Sequence, residues 1–197
     1  NKLPVKMYQP INVKLGDTLK LNNTINGARC YIAISGGLKV KSIFGSKSFF
    51  SNITDSYFLK KNDEIKVSKK SKNKILKWDR FNFKLNRSIE VFKGPEFDLL
   101  SSNSKNKLFK NEFTISTNNR MAYNLVEKLQ IGTKSIISSP VLPGSVQLTP
   151  SGKMIILHRD CQTTGGYPRI LQLNISSLNY LSQLKSTDKI KLRLINL

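Results

Sequence analysis

Short apolar runs of period two, broken repeatedly by Gly, Asn and Asp, dominate this chain of 197 residues. Side chains alternate across a strand, so this pattern builds half-buried β-strands and leaves little room for long helices. Val13-Lys14-Leu15 leads through Gly16-Asp17-Thr18 to Leu19-Lys20-Leu21, which predicts a hairpin. Arg29-Cys30-Tyr31-Ile32-Ala33-Ile34-Ser35 is a β-rich run ended by Gly36-Gly37. Residues 59–67, with Lys61-Asn62-Asp63 in the middle, repeat the strand-turn-strand form. Further strands are expected at 88–92, where Gly94-Pro95 follows, and at 112–116, 145–148, 154–157, 170–173 and 188–194. Residues 97–110 predict a short helix followed by a polar turn, and 176–184 a helix with a Ser cap. Residues 68–77 are rich in Lys, Ser and Asn and are expected to form a surface loop or linker. The reading is mainly β: barrel domains with a few short helices.

Three phrases echo one another: Gly16-Asp17-Thr18-Leu19-Lys20-Leu21, then Lys61-Asn62-Asp63-Glu64-Ile65-Lys66-Val67, then Ser186-Thr187-Asp188-Lys189-Ile190-Lys191-Leu192. Each sets an Asp-containing turn before an alternating strand. Common hairpin chemistry can also produce such an echo.

Hydrophobic residues make up 39% of the chain and are spread along it, enough for a packed core. The longest apolar run, near residues 154–157, is far below the roughly 20 residues of a membrane helix. The chain begins Asn1-Lys2-Leu3-Pro4, with no signal-peptide pattern and no initiator Met, so upstream sequence is expected to be missing. Cys30 and Cys161 lack C-x-x-C spacing and are read as free thiols, buried or half-buried, in a cytoplasmic protein. The formal charge of +21 raises nucleic acid as a partner. The lysines are scattered beside Asn and Ser, however, and outnumber Arg, the residue suited to reading bases. The charge is therefore read as a solvated surface, useful for docking an acidic partner subunit or steering anionic substrates.

His158 is the one histidine, so a metal site needing two is excluded; at the end of an apolar strand it is read as structural. No metal is expected. No G-x-x-x-x-G-K-[ST] or G-x-G-x-x-G element is present, so an ATP site in this chain would not be a P-loop. Asp160-Cys161-Gln162-Thr163-Thr164-Gly165-Gly166-Tyr167-Pro168 differs from the rest. It packs a carboxylate, an amide, two hydroxyls, two glycines and an aromatic ring into nine residues. The glycines let backbone approach a ligand, Gln and Thr offer donors and acceptors together, and Tyr167 can wall a pocket. A tight turn between buried strands is the alternative from composition alone. Arg120, in Asn118-Asn119-Arg120-Met121, is either a clamp for a carboxylate or a surface arginine. Ser35-Gly36-Gly37 and Gly45-Ser46-Lys47-Ser48 are either turns or anion-binding loops.

In order along the chain, several of these stretches resemble one family. The run from Arg29 to Leu38 is similar to its R-x-Y-L-A-V-x-G-G-I, and Gly45-Ser46-Lys47-Ser48 to its G-S-R-S. Ile89-Glu90-Val91-Phe92-Lys93-Gly94-Pro95 resembles L-R-V-x-x-G-P, and Asn119-Arg120-Met121 resembles D-R-M-G. Gly144-Ser145-Val146-Gln147-Leu148-Thr149-Pro150-Ser151-Gly152 resembles G-x-I-Q-V-P-P-D-G, and Gln162 through Pro168 reads Q-T-T-G-G-Y-P. The family is that of the C-type subunit of 5-oxoprolinase, KipA and allophanate hydrolase subunit 2, the biotin-dependent carboxyltransferase family. The resemblance implies cyclophilin-like β-barrels: residues 1–77 as the remainder of a first barrel with its linker, and residues 78–197 as a second. It implies a hydrolase component of an ATP-dependent 5-oxoprolinase, converting 5-oxo-L-proline to L-glutamate with an A-type subunit and a B-type, KipI-like subunit. Two alternatives stand: a carboxyltransferase subunit of urea or allophanate type, using biotin, and a KipA-like regulatory protein that binds a kinase inhibitor. Gln162, Thr163, Thr164, Gly165, Gly166 and Tyr167, with Arg120 and Gln147 nearby, are the expected substrate-binding residues for an amide or lactam. No catalytic residue is assigned. ATP belongs to the complex as a whole. Family members carry a longer N-terminal region, so this chain resembles their later two thirds and is expected to hold only part of a shared site. Ala122 stands where the family has Gly, Asn119 where it has Asp, and Cys161 where Arg is common.

Overall fold

The computed structural model describes residues 3–56, 58–69, 88–130 and 136–196. The chain forms two compact units, one of residues 1–21 and 30–81, the other of residues 22–29 and 82–197. Most of the segment read as a linker, and the expected division after residue 77, lie outside the described residues.

The second unit is a barrel. Its strands are β1 (Ser88–Lys93), β2 (Glu112–Asn118), β3 (Ala122–Lys128), β5 (Ser145–Leu148), β6 (Lys153–Leu157), β8 (Arg169–Leu173) and β9 (Lys189–Leu194). Two short strands, β4 (Ser139–Pro140) and β7 (Thr164–Gly165), pair with each other outside it. The barrel order is β1-β8-β5-β6-β3-β2-β9. Closure comes from a parallel pairing of β9 with β1, in which Ile89 faces Leu192 and Val91 faces Leu194. All other neighbours are antiparallel.

The period-two pattern explains the core. Ile89, Val91, Val146, Leu148, Ile156 and Leu171 are completely buried, and polar residues alternate with most of them. Burying each such side chain stabilises the fold by about 1.5–3 kcal/mol. Two helices lie against the barrel. α1 (Ser102–Lys110) packs on β9 and α2 (Ile175–Leu181) on β1. The helix expected at 97–110 is in fact a 3₁₀ turn at Phe97–Leu99 followed by α1, because the Ser101 hydroxyl accepts from Ser104 N–H and restarts the helix there. The cap of α2 is Asn174 rather than Ser176. Asn174 Oδ1 accepts from Ser177 N–H at 2.7 Å, while Ser177 Oγ accepts from Glu90 N–H at 2.8 Å and ties the helix to β1.

The three echoed phrases share one turn. In each, a Lys N–H donates to an Asp Oδ2 three residues on: Lys14 to Asp17 at 2.8 Å, Lys60 to Asp63 at 2.7 Å, Lys185 to Asp188 at 2.7 Å. The Asp N–H donates back to the Lys carbonyl at 3.1, 3.2 and 3.2 Å. The third position has positive φ each time: Gly16 at 88°, Asn62 at 73°, Thr187 at 76°. Gly and Asn suit that conformation, whereas a β-branched residue is strained in it.

Among the described residues of the first unit the turns form and no ladder is seen. Among the described residues the strands expected at 13–15, 19–21 and 29–35 are not formed, 59–67 makes one isolated bridge, Val67 with Leu38, and a second bridge joins Ile43 with Ser46. No described hydrophobic side chain there is buried. Cys30 is exposed instead of buried, Cys161 is half-buried, and both are free thiols.

Thr187 is exposed, so its left-handed backbone is expected to be relieved by glycine. Thr187→Gly should raise stability by up to about 1 kcal/mol, because an L-residue in that region costs about 1–2 kcal/mol and the added chain entropy of Gly offsets part of the gain. Urea unfolding of the two proteins measures it.

Candidate functional site

Gln147 lies in the middle of β5, between the inward-pointing Val146 and Leu148. Its register partners are Ile155 and Arg169. It therefore points out of the barrel, yet it is only 1% exposed. The cover is a flap. β4 and β7 pair as Ser139 with Gly165 and Pro140 with Thr164. Backbone bonds extend the ribbon, from Val141 N–H to the Thr163 carbonyl at 2.9 Å and from Ile136 N–H to the Gly166 carbonyl at 3.0 Å. Gln147 Nε2 donates to the Tyr167 carbonyl and Gln162 Nε2 donates to Gln147 Oε1, both at 3.4 Å. These are long bonds, easily exchanged for better partners.

Gly165 packs closely on the Gln147 side chain. A Cβ there would lie 2.6 Å from Gln147 Nε2, inside contact distance. Gly166 is not so constrained: the nearest atom to its Cβ would be the Ile136 carbonyl oxygen at 3.5 Å. The structure thus brings Gln147, Gln162, Gly165 and Tyr167 together. Thr163 and Thr164 lie on the same flap with exposed side chains, and Tyr167 is 40% exposed beside them. Two primary amides in contact offer donors and acceptors side by side, which is the complement of an amide, lactam or urea group.

Arg120 is placed differently. It sits in the turn between β2 and β3, where Asn119 Oδ1 accepts from the N–H groups of Met121 and Ala122. Its guanidinium pairs with Asp160, Nε to Oδ2 at 2.6 Å and Nη2 to Oδ1 at 3.3 Å. Backbone bonds from Asp160 N–H to the Arg120 carbonyl and from His158 N–H to the Met121 carbonyl hold this turn against the segment that leads to Gln162. The carboxylate Arg120 clamps is thus one of the chain's own.

Sequence reasoning missed the residue that anchors the flap. Arg169 follows Pro168 directly. Its Nη1 donates to the Pro140 carbonyl at 2.7 Å, and its Nε and Nη2 fork onto Glu96 at 2.9 and 2.7 Å. Its own N–H also donates to Glu96 Oε2, at 2.8 Å, and Glu96 N–H returns a bond to the Arg169 carbonyl. One guanidinium thereby joins β8, β4 and the loop after β1. Gly94 lets that loop approach, since a Cβ there would meet the Arg169 carbonyl at 2.1 Å. The side-chain bonds from Arg169 hold the Glu96 carboxyl below its ordinary value against the opposing effect of burial, and Glu96 raises the pKa of Arg169. The available signal was the position of a charged residue immediately after each Gly- or Pro-containing motif.

His158 is 6% exposed, with its ring 5.4 Å from that of Tyr123. The Tyr123 hydroxyl accepts from both Arg29 Nη atoms at 3.3 Å. Burial, then Arg29 and Arg159, hold His158 below its usual pKa; the Leu178 carbonyl opposes this but does not reach hydrogen-bond geometry. Among the described residues no three or more of His, Cys, Asp and Glu converge as a metal site, and no helix is long and apolar enough to cross a membrane.

A closed barrel with a Q-T-T-G-G-Y-P flap over a buried glutamine defines the class. Residues 1–194 match the family of the carboxyltransferase domain, subdomain A and B, and the chain belongs to that family. It is 28% identical over 179 residues to the C-type subunit of 5-oxoprolinase from Escherichia coli (strain K12), a match that covers 87% of this chain and 58% of that one. It is 27% identical over 203 aligned residues to the corresponding C-type subunit of 5-oxoprolinase from Haemophilus influenzae, covering 98% and 65%. The chain thus spans less than two thirds of the length of these relatives. Two solved structures share the fold at 20% identity, each with a TM-score of 0.72 over 87% of this chain: the urea amidolyase of Kluyveromyces lactis, covered over 12% of its length, and the urea carboxylase of the same yeast, covered over 18%.

Two outcomes follow from this geometry. Gly165→Ala is expected to displace the Gln147 amide and cost about 1–3 kcal/mol, as overpacking does, while Gly166→Ala stays within about 1 kcal/mol of the parent; urea titrations compare them. Glu96→Gln should cost about 1.5–3 kcal/mol at pH 7, the range for hydrogen bonds to a charged group. Because the folded carboxyl titrates below its ordinary 4.5, that contribution is complete above pH 4.5 and fades as pH falls through the lowered value. The stability gap between parent and Glu96→Gln should therefore narrow below pH 4.5.

Proposed function

We propose that this chain is a component of an ATP-dependent 5-oxoprolinase, which opens 5-oxo-L-proline to L-glutamate together with A- and B-type partner subunits. The observation that carries this reading is its relation to two C-type 5-oxoprolinase subunits along most of its length. The flap chemistry supports it. Opening the lactam breaks the ring C–N bond, adds water across it, and leaves an amine and a carboxylate. Negative charge develops on the carbonyl oxygen, and donors aimed there stabilise it. Gln147 and Gln162 supply amide N–H groups, Thr163 and Thr164 hydroxyls, and Gly165 the close approach of backbone. In this reading Tyr167 walls one side, and Arg120, ion-paired with Asp160, joins the substrate-binding set. In this reading Arg169 and Glu96 hold the flap in register and touch no substrate. ATP is used by the complex, and this chain contributes no P-loop. The complex works in the cytoplasm, with a KipI-like, B-type partner completing the site.

Carboxyl transfer from biotin to urea or a similar acceptor is the second reading, favoured by the family to which the chain belongs. Both reactions present a planar amide-like carbonyl to the paired glutamines.

The test is reconstitution with A- and B-type partners and measurement of glutamate released from 5-oxo-L-proline. ATP-dependent release is expected, falling at least tenfold when Thr163→Ala and Thr164→Ala are combined, about 1.4 kcal/mol of transition-state stabilisation. A stable three-component complex with no release would overturn the first reading, and biotin-dependent carboxylation of urea by that complex would establish the second.

A further inference from the structure

His158 is a buried histidine for which the flap chemistry has no use. It directly follows β6, in register with the inward Met154 and Ile156. It is 6% exposed, and neither ring nitrogen has a hydrogen-bond partner among the described residues. A neutral imidazole tolerates such a place far better than a cation does. The charges around it sharpen that preference. Arg29, which belongs to the barrel unit, reaches the Tyr123 hydroxyl with both Nη atoms at 3.3 Å. Tyr123, fully buried on β3, lays its ring 5.4 Å from the imidazole. Arg159 comes next in sequence and donates to Asn179 Oδ1 on α2 at 2.9 Å. Asp160 supplies the carboxylate that favours a charged ring, but both of its oxygens are held by Arg120 from the β2–β3 turn. α2 also presents the Leu178 carbonyl, out of hydrogen-bond geometry. Burial first, and then the two guanidiniums, keep the ring neutral, below the usual histidine value of 6.5.

The backbone of this histidine is a joint. His158 N–H donates to the Met121 carbonyl at 2.8 Å, the His158 carbonyl accepts from Cys161 N–H at 3.1 Å, and Asp160 N–H donates to the Arg120 carbonyl at 2.9 Å. With the Arg120–Asp160 pair, these bonds lay residues 158–161 along the β2–β3 turn. Gln162 follows and meets Gln147 through a 3.4 Å bond, and the Thr163 carbonyl then accepts from Val141 N–H. The flap is thus entered through the segment that this histidine seats. A charged ring gains hydration only by leaving the barrel end, and leaving strains the backbone bonds on either side of it.

We propose that His158 is a proton-operated latch for the flap: the neutral ring seats residues 158–162 on the β2–β3 turn, and proton uptake frees that segment and draws Gln162 off Gln147 while the barrel stays closed. The sign follows from linkage. The freed ring takes up a proton at an ordinary histidine value and the seated ring at a lower one. The seated state is therefore fully favoured above pH 6.5 and loses ground as pH falls below it, by up to about tenfold per pH unit until the seated ring itself titrates. The latch governs the same glutamine pair as the proposed reaction, yet its readouts need neither substrate nor partner subunits, so either can fail without the other.

His158 is the single histidine, so in the untagged protein its imidazole resonances need no assignment. An NMR titration of the native chain should place their midpoint below 6.5; a midpoint at or above that value would overturn the latch. Hydrogen exchange then locates the response. Between pH 7.5 and 5.5 the protection factors of the Asp160 and Val141 amides should fall severalfold, up to about tenfold, while those of Val146, Ile156 and Leu171 in the barrel wall hold. In His158→Leu and His158→Gln, neither of which titrates, protection at Asp160 and Val141 should not change over that range. Constant protection in the parent, the same fall in the variants, or a uniform loss that includes the barrel amides would each count against the proposal. Should neither variant fold, the parent's titration and the location of its response still decide.

Discussion

A sheet becomes a barrel only when its first strand meets its last. In this protein β1 and β9 are separated by most of the second unit, and their parallel pairing closes the ring. Closure removes both edges, so no backbone row is left open to water. The Glu90–Arg193 ion pair spans the seam, and the two helices buttress it from either side, α2 on β1 and α1 on β9. The inward residues of all seven strands share one core, which exists only after that closure.

The flap depends on the finished barrel. β4 and β7 are two residues each, too short to hold themselves in place. They are pinned by the buried Gln147 beneath and by Arg169 at their base. The Arg169–Glu96 pair is largely shielded from water and is forked, the geometry in which an ion pair contributes specificity as well as energy. Its role is to set where Thr164 and Gly165 lie over the barrel wall. The flap residues are thus held in place by the Arg169–Glu96 pair at their base.

Much of this was legible in the chain. Alternating runs predicted most barrel strands to within a residue or two, and Gly94-Pro95 marked the end of β1. The Q-T-T-G-G-Y-P stretch stood out by composition, and its family resemblance agrees with the family shown by the match over residues 1–194. β3 was missed, because Asn119-Arg120-Met121 drew attention as a clamp when it is the hairpin turn that starts the strand. The cap of α2 was misread because Ser177 bonds back to β1, and Asn174 takes the capping role.

What the sequence by itself determined is local: the Lys-to-Asp turns, the alternation of strands, the serine cap of α1, and the order of motifs. These close within a few residues, so neighbouring side chains suffice to form them. Only tertiary structure decided which of three alike segments is buried, which of two adjacent glycines is closely packed, and which carboxylate each arginine meets. Glu96 reaches Arg169 across 73 positions and Gln147 reaches Gly165 across a folded wall. Such contacts arise from strand order and closure, which nearest-neighbour chemistry leaves open. Leu19 and Leu21 are about half exposed while Ile190 and Leu192 are buried, although the turns before them are alike.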